Sequence, residues 1–382
     1  MPIFTEPLPL SLYIHIPWCV RKCPYCDFNS HEAKGSLPED LYVHALLKEL
    51  ESHLALVEDR PLLSLFFGGG TPSLFSAQAI ERILEGIAKR LRLSPAIEIT
   101  LEANPGTIDQ AYFRDFYLAG INRLSLGIQS LQDDKLKTLG RIHDRHHAME
   151  AIQIAKRAGF TNFNLDLMYG LPQQSIADAL HDLETALSFQ PSHLSWYQLT
   201  IEPNTLFYRH TPSLPPDDMI WDMQLAGQAQ LQQAGFHQYE VSAYSLPQKE
   251  CLHNRNYWEF GDYLGIGAGA HSKITDIKTG QVMRFSQVKH PRDYLDATKR
   301  SQQKIQCLAE DDLIFEFMLN ALRLTHGVPS TLFRKHTGLS LTRIEPLLMA
   351  AKKRGLMMDD ASRLIPSELG RKFLNDLVGM FL

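Results

Sequence analysis

Short apolar segments alternate with longer amphipathic ones over the first 235 residues, and this alternation constrains the fold more than any other feature. The pattern is typical of βα units that build a parallel sheet. The predicted strands are Leu10–Ile16, Leu62–Phe67, Ile97–Glu102, Arg123–Ile128, Asn162–Met168 and His193–Thr200. The predicted helices are Glu39–Val57, Ala77–Leu91, Gln110–Ala119, Arg145–Ala158, Ile176–Ser188 and Asp217–Ala234. Six such units predict an α/β fold, a partial (β/α)6 barrel, with a doubly wound sheet as the structural alternative.

From about residue 309 onward, the apolar spacing predicts helices without strands between them. The candidates are Leu313–Leu324, Pro329–Thr337, Leu341–Arg354 and Pro366–Val378, with a small β-hairpin over 356–365. We therefore expect an α/β core over 1–235, a linking region over 236–308 and a mostly helical, winged-helix-like C-terminal domain over 309–382. Basic and acidic residues are nearly balanced in that domain, which favours a lid or packing domain over nucleic-acid binding.

The formal net charge of −5 and the pI near 6.3 argue against general affinity for nucleic acids or anionic membranes. No apolar run approaches the roughly 18–20 residues that span a bilayer, and the first residues lack the pattern of a secretory signal. The five cysteines, three of them clustered, fit a reducing compartment better than a disulfide framework. These features predict a cytoplasmic protein with no membrane span and no nucleic-acid partner.

Cys19, Cys23 and Cys26 form a C-x3-C-x2-C triplet just after the first predicted strand. Iron–sulfur clusters are normally held by four cysteine thiolates. Three thiolates at this spacing could hold three corners of a [4Fe–4S] cluster and leave the fourth iron open for another ligand. A structural zinc site with His15 or His31 as fourth ligand is an alternative, as are buried free thiols.

Other residues that could bind a ligand also follow the predicted strands. Gly68-Gly-Gly-Thr-Pro72 comes after the second strand, Glu102 and Gln129 end the third and fourth, and Asp166 lies near the end of the fifth. Ligands collect at the carboxyl ends of strands in parallel α/β folds, so these elements predict one binding face. The glycines could instead make a tight connection, and Glu102 could simply face water.

Two further motifs lie in the linking region. His253-Asn-Arg-Asn-Tyr-Trp258 places a histidine that could ligate haem iron beside two aromatic residues, although a packed turn with a hydrogen-bonded histidine is the alternative. Gly265-Ile-Gly-Ala-Gly-Ala270 has the spacing G-x-G-x-G and no following βαβ unit, so we do not interpret it as a nicotinamide site. Cys251 and Cys307 are expected to be packing residues.

An ordered set of motifs resembles the oxygen-independent coproporphyrinogen III oxidase family of the radical S-adenosylmethionine (SAM) superfamily, over nearly the whole chain. The motifs are Tyr13-Ile-His-Ile-Pro-Trp-Cys19, Cys23-Pro-Tyr-Cys26, Gly68-Gly-Gly-Thr-Pro72, Ser125-Leu-Gly-Ile-Gln-Ser130, Gly140-Arg141 and Asp166-Leu-Met-Tyr-Gly-Leu-Pro172. Within the family, the chain is most similar to the HemW-type haem chaperones. Phe28 stands where the oxidases carry a further cysteine, and His253 to Trp258 matches the H-N-R-x-Y-W motif of that branch.

The resemblance implies the cofactors and the residues that bind them. Cys19, Cys23 and Cys26 would ligate a [4Fe–4S] cluster. His253 would be the axial ligand of haem, with Cys251 as the weaker alternative. The positions that match SAM contacts, to a first and in the oxidases a second molecule, are Tyr13, Tyr25, Gly69, Gly70, Thr71, Glu102, Gln129, Arg141 and Asp166.

The resemblance also implies a function, a haem chaperone that delivers haem to an acceptor protein such as a respiratory one. A flavodoxin-type protein would be its electron donor. The alternative is an oxygen-independent coproporphyrinogen III oxidase, which decarboxylates its substrate to protoporphyrinogen IX by radical chemistry; Phe28 makes a true oxidase unexpected. A third hypothesis is a winged-helix regulator that senses haem or iron–sulfur status, and the near-neutral C-terminal region argues against it.

Overall fold

One large mixed sheet runs through the computed structural model, which describes residues 2–57, 59–107, 110–301 and 303–382. The strands are β1 Leu10–Ile16, β2 Trp18–Cys19, β3 His31–Glu32, β4 Leu62–Gly69, β5 Leu93–Ala103, β6 Arg123–Gln129, β7 Phe163–Tyr169, β8 His193–Gln198, β9 His237–Gln238, β10 Ala243–Ser245, β11 Asp262–Ile266, β12 His271–Asp276, β13 Gln281–Ser286, β14 Lys304–Cys307, β15 Val328–Pro329 and β16 Arg363–Leu364. The helices are α1 Glu39–Val57, α2 Ala77–Ala88, α3 Gln110–Ala119, α4 Asp133–Thr138, α5 Arg145–Arg157, α6 Ile176–Ser188, α7 Leu206–Arg209, α8 Asp217–Gln233, α9 Leu252–Trp258, α10 Pro291–Leu295, α11 Ala297–Arg300, α12 Glu310–Ala321, α13 Ser330–Thr337, α14 Glu345–Lys353, α15 Glu368–Lys372 and α16 Leu374–Gly379.

The centre of the sheet consists of six parallel strands in the order β1-β4-β5-β6-β7-β8. From one side of this central sheet to the other, the strands therefore appear in the same order as along the chain. A doubly wound sheet would instead reverse its strand order at a switch point. The predicted partial (β/α)6 barrel is therefore confirmed, and the doubly wound alternative is not.

The helices between these strands lie on the outside of the sheet, and each buries one apolar stripe. In α2, for example, Ile80, Ile83 and Ile87 are fully buried. The Ser76 hydroxyl caps this helix by accepting a hydrogen bond from Ala79 N at 3.2 Å. Local capping and helical periodicity together explain why the predicted helix bounds agree with the structure to within about three residues.

Residues 236–308 contribute six further strands to both edges of the same sheet. β11 pairs with β1 in parallel, and β12 to β14 continue that edge as antiparallel strands. β10 and β9 extend the other edge beyond β8. The sequence analysis did not predict these strands, and the division of the chain at 235 and 308 stays a prediction.

The C-terminal region is helical, as predicted, and has its own apolar core around Phe317, Phe333 and Leu377. The helix expected over 341–354 is divided into a 3₁₀ turn and α14, and that expected over 366–378 is divided at Phe373. The hairpin expected over 356–365 is reduced to one bridge between Met357 and Pro366, because β16 pairs with β15 instead. Among the described helices, none combines the length and the apolar character needed to cross a bilayer.

A buried ion cluster fixes the junction of β11 and β12. The carboxylate of Asp262 is completely buried and accepts from Arg60 Nη1 at 2.7 Å and from Lys273 Nζ at 2.9 Å. Thr275 donates to it from both its backbone nitrogen and its hydroxyl, each at 2.9 Å. Both carboxylate oxygens therefore have donors, and the single negative charge of Asp262 is shared between two buried cations.

Candidate functional site

A cavity of about 310 Å³ opens at the carboxyl ends of the central strands. Ligand sites of parallel α/β folds lie at this edge, as the sequence analysis predicted. The predicted site residues that line it are Cys19, Cys23, Tyr25, Cys26, Gly69, Gly70, Thr71, Glu102, Gln129, Arg141 and Asp166. Tyr13 and His253 do not belong to its lining.

The three cysteines occupy one wall, where Cys19 is the last residue of β2, and Cys23 and Cys26 lie on the loop that connects β2 to β3. Cys26 N donates to Cys23 O at 3.1 Å, which closes a tight turn between these two residues. Burial raises the pKa of the Cys19 thiol to about 11. A thiolate at that position therefore needs a strong cation beside it, as a ligated metal centre would supply.

All three thiols are unpaired, and the described residues hold no group of three His, Cys, Asp or Glu side chains placed to bind a single metal ion. A four-iron cluster offers a separate iron to each thiolate, so its ligands do not need to converge on one point. The histidines considered as zinc ligands are otherwise engaged. His15 Nε2 bonds to Asn29 O at 2.8 Å, and His31 Nε2 to Asn29 Oδ1 at 3.3 Å.

The end of β4 forms a second wall, where glycine is required by the packing of the protein itself. A Cβ atom at Gly70 would lie 2.4 Å from the carbonyl oxygen of Trp18, and one at Gly69 would lie 2.7 Å from the His15 ring. Gly69 also has a φ of +119°, and its N–H donates to Glu102 Oε2 at 3.1 Å. The glycines thus bring β4 and the loop after β1 together, with Thr71 N donating to Trp18 O at 2.7 Å.

Two largely buried carboxyl groups, those of Glu102 and Asp166, face the cavity from the strands opposite. Burial, and then the charge of Asp166, raise the pKa of Glu102 to about 8. Burial also raises the pKa of Asp166, against hydrogen bonds from Asn164 Nδ2 at 2.8 Å and Ser125 Oγ at 3.2 Å. These groups can bind hydroxyl or ammonium donors of a ligand, because their oxygens face the same cavity.

Arg141 brings a positive charge to the cysteine wall. Its Nη2 donates to Gly127 O at 2.8 Å, and its Nη1 lies 3.5 Å from both Cys23 Sγ and Tyr25 Oη. The Nε atom of Arg141 is buried without a hydrogen-bond partner. An arginine held in this way suits an anionic ligand group.

Ten lining residues were not among the predicted contacts, and four of these are polar residues on or next to the central strands, namely Asn104, Ser125, Ser195 and Tyr197. Tyr197 Oη donates to Gln129 Oε1 at 2.7 Å and so orients a predicted contact. Gln129 itself has a φ of +69°, a strained conformation for this residue that turns the end of β6. Asn104 directly follows β5 and Tyr197 is the second-last residue of β8, so their position at strand ends was the available signal, whereas Ser125 and Ser195 are the third residues of β6 and β8 and carry no such signal.

His253 lies at the other end of the barrel, on α9. Its Nδ1 lies 3.2 Å from the hydroxyl of Ser64, in the amino-terminal half of β4. Its ring centroid is 5.0 Å from that of Phe66 and 6.1 Å from that of Tyr13. Burial lowers the pKa of His253 to about 3, so the imidazole is neutral. Tyr13 lies between His253 and His15, whose Nδ1 is 3.0 Å from the tyrosine hydroxyl.

Comparisons with known proteins decide the family. A family model described as the radical SAM superfamily matches residues 13–186, and one described as the HemN C-terminal domain matches residues 308–373. The Heme chaperone HemW of Haemophilus influenzae is 48% identical over 378 residues, which cover 98% of each chain. The protein of the same name from Escherichia coli is 48% identical over 375 residues, with the same coverage.

This chain belongs to the HemW family. Its fold is also that of the solved structure of Escherichia coli coproporphyrinogen III oxidase (HemN), a radical SAM enzyme, with a TM-score of 0.82. That likeness covers 98% of this chain and 90% of the other at 24% identity, so it shows the fold alone.

The cavity fits the cofactors of a radical SAM protein. One wall carries three unpaired thiols and the arginine, and the others carry glycine backbone, Thr71 and two carboxyl groups. Thiolates are the usual ligands of iron–sulfur clusters. The polar groups opposite them match the charges of an amino-acid moiety and the hydroxyls of a ribose. Phe28, which is 65% exposed at the edge of the cavity, adds no fourth thiolate.

Proposed function

We propose that this chain is a haem chaperone that binds haem and delivers it to an acceptor protein, and that it holds a [4Fe–4S] cluster and SAM. The observation that carries the proposal is 48% identity, over 98% of both chains, with proteins named Heme chaperone HemW. The oxidase alternative is not favoured, since the likeness to the oxidase is one of fold and Phe28 replaces a cysteine expected there.

In this proposal, Cys19, Cys23 and Cys26 ligate the cluster. The residues proposed to bind SAM are Tyr13, Tyr25, Gly69, Gly70, Thr71, Glu102, Gln129, Arg141 and Asp166, all of which except Tyr13 line the cavity. When bound, the cluster supplies a low-potential electron close to the sulfonium group of SAM. Arg141 stabilises the negative charge of the Cys23 thiolate, 3.5 Å from its Nη1. Glu102 holds a proton at neutral pH because its pKa is raised to about 8.

The proposed axial ligand of haem is His253, and its hydrogen bonds suit that role. Ser64 donates its only hydroxyl proton to Ser11 Oγ at 2.8 Å, so it must accept from His253 Nδ1–H. The lone pair of Nε2 is then available for iron, and the serine fixes the tautomer. Because Phe66 and Tyr13 enclose the ring, we expect α9 to shift when haem binds. Cys251 is the weaker candidate, since burial raises the pKa of its thiol to about 12.

The finer partners also belong to the proposal. Arg21 and Lys22 are exposed between Cys19 and Cys23, and these two cations suit an acidic electron donor such as a flavodoxin-type protein. A respiratory protein is the proposed haem acceptor. Five unpaired cysteines support a cytoplasmic location, because thiols persist in reducing compartments.

An anaerobic haem titration of the cluster-reconstituted protein, followed by absorbance, tests the function. The wild type should bind one equivalent with the spectrum of histidine-ligated haem, and His253→Ala should lose that spectrum while keeping its cluster. His146→Ala is the matched control, since this histidine is 82% exposed on α5. Absence of specific haem binding by the wild type would refute the chaperone. Conversion of coproporphyrinogen III by the reduced protein with SAM would establish the oxidase instead.

A further inference from the structure

The glycine-rich segment from Gly265 to Ala270, which is unsuited to a nicotinamide site, lies against the cysteine loop. Gly267 has a φ of +106°, and a Cβ atom there would lie 2.4 Å from His15 O, at the end of β1. Gly269 has a φ of +79°, and its Cβ atom would lie 2.3 Å from Asn29 Nδ2. The two glycines therefore allow this turn to approach both ends of the segment that carries the cysteines.

Asn29 connects the turn to the cysteine loop. Its side-chain nitrogen donates to Ala268 O and to Lys289 O, each at 2.9 Å. Both amide protons are thus used on carbonyl groups that lie more than 200 residues later in the chain. The adjacent residue, Ser30, is buried, and its hydroxyl lies 3.8 Å from Cys26 Sγ.

The backbone of Asn29 is held from a second direction. Its carbonyl oxygen accepts from His15 Nε2 at 2.8 Å. Nε2 must therefore carry the proton, so that Nδ1 of the neutral ring accepts from the Tyr13 hydroxyl at 3.0 Å. Burial lowers the pKa of His15, which favours this neutral form. Side chain and backbone together fix the loop three residues after Cys26.

We propose that Asn29 is a positioning residue for the [4Fe–4S] cluster, and that the turn 267–270 is the rigid support to which it ties the cysteine loop. The inference rests on the proposed cluster site. Without the two hydrogen bonds of the Asn29 side chain, the segment from Cys26 to Ser30 loses its direct attachment to the turn 267–270 and is held by the His15 contact and by the pairing of β2 with β3. In this proposal, Asn29 binds neither the cluster nor SAM. The retention of the cluster and the access of SAM to its open iron nevertheless depend on Asn29.

The test compares reconstituted full-length variants. Asn29→Ala removes the two donors, and Asn29→Asp keeps the shape but presents an oxygen to the two carbonyl groups. Asn122→Ala is the matched control. That side chain also bonds two backbone groups, Ile97 O and Ile99 N, each at 2.8 Å, but lies at the amino-terminal end of β6. The readouts are cluster loss to an iron chelator, the EPR spectrum of the reduced cluster with and without SAM, and the thermal midpoint of the cluster-free protein.

We expect both Asn29 variants to lose the cluster about tenfold faster than the wild type, as the loss of one or two neutral hydrogen bonds would produce. Their EPR response to SAM should also change, whereas Asn122→Ala should lower only the thermal midpoint. Wild-type retention and spectra in both Asn29 variants would overturn the inference. Equal acceleration in Asn122→Ala would overturn it too, since cluster loss would then follow general destabilisation. If the wild type takes up no cluster, it is the proposed site that fails.

Discussion

Replacement of Asp262 by asparagine should strongly destabilise the fold, although this residue lies far from the cofactor cavity. Its carboxylate is fully buried between Arg60 Nη1 at 2.7 Å and Lys273 Nζ at 2.9 Å. Asparagine preserves the shape but removes the negative charge and turns an amide group toward existing donors. Two buried cations would then lack their counter-charge.

The magnitude follows from the burial of all three groups. Removal of one partner from a buried ion pair costs about 3–5 kcal/mol, because the remaining charge is left uncompensated. Two remaining cations favour the upper end of this range. Lys273 limits the cost, however, because burial lowers the pKa of its ammonium and allows it to lose its proton. We therefore expect a decrease of about 4 kcal/mol in the free energy of unfolding.

Urea unfolding of the cluster-free protein, followed by circular dichroism, measures this change. The midpoint should fall with little change in the dependence on urea concentration. Asp359→Asn is the control, since that carboxylate pairs with Lys352 but is 93% exposed, and its loss should change little. A loss below about 1 kcal/mol in the free energy of unfolding of Asp262→Asn would refute the reasoning. Asp262, Arg60 and Lys273 would then not be acting as a buried ion group.

The same group predicts a pH dependence. Burial alone would raise the pKa of Asp262, but the charges of Lys273 and Arg60 outweigh it and hold the pKa below its ordinary value. A carboxyl whose pKa is depressed in the folded state adds stability above its unfolded pKa, and that stability is lost as the pH falls through the folded value. Below about pH 4 the wild type should therefore lose stability more steeply than Asp262→Asn.

Two further perturbations test the interior of the barrel. Glu98→Ala removes the acceptor of Leu252 N, 2.9 Å away, and also the carboxylate that lies 3.8 Å from Nε of the buried Arg123. Hydrogen exchange of the first α9 amides should therefore speed up by at least about fivefold, the factor that the loss of a helix cap of about 1 kcal/mol implies by itself. Unchanged exchange would contradict this role. Burial, and then the charge of Asp166, raise the pKa of Glu102 to about 8. Between about pH 4.5 and 8 the folded state therefore binds a proton that the unfolded state has lost. The cluster-free wild type should become less stable as the pH rises through this range. Glu102→Gln should abolish that part of the pH dependence in urea unfolding, and an unaltered slope would show that the carboxyl is not buried as described.

Much of the fold could be predicted from local sequence because its signals are local. The bounds of α1, α3, α6 and β1 agree residue for residue with the prediction. Helical periodicity and capping residues act within a few positions of each other. The position of the cysteines, Glu102 and Asp166 after successive strands was enough to bring them to one cavity, because parallel strands all end at the same edge.

The strands β9 to β14 were not predictable in the same way. Several have only two to four residues, such as His237–Gln238 and Ala243–Ser245, which is too short for a clear alternation of apolar and polar positions. They form because β1 and β8 offer unpaired edges, and those edges exist only once the central sheet has assembled.

The sequence by itself determined the order of the βα units, the cysteine triplet, the carboxyl-end site and membership of a recognisable family. Only the tertiary structure decided that Tyr13 and His253 lie below the cavity, and that the glycine-rich turn supports Asn29. The reason is one of distance. Residues close in sequence encode helices and strands through their own geometry, whereas a contact between residue 29 and residue 268 depends on how the whole sheet brings distant segments together.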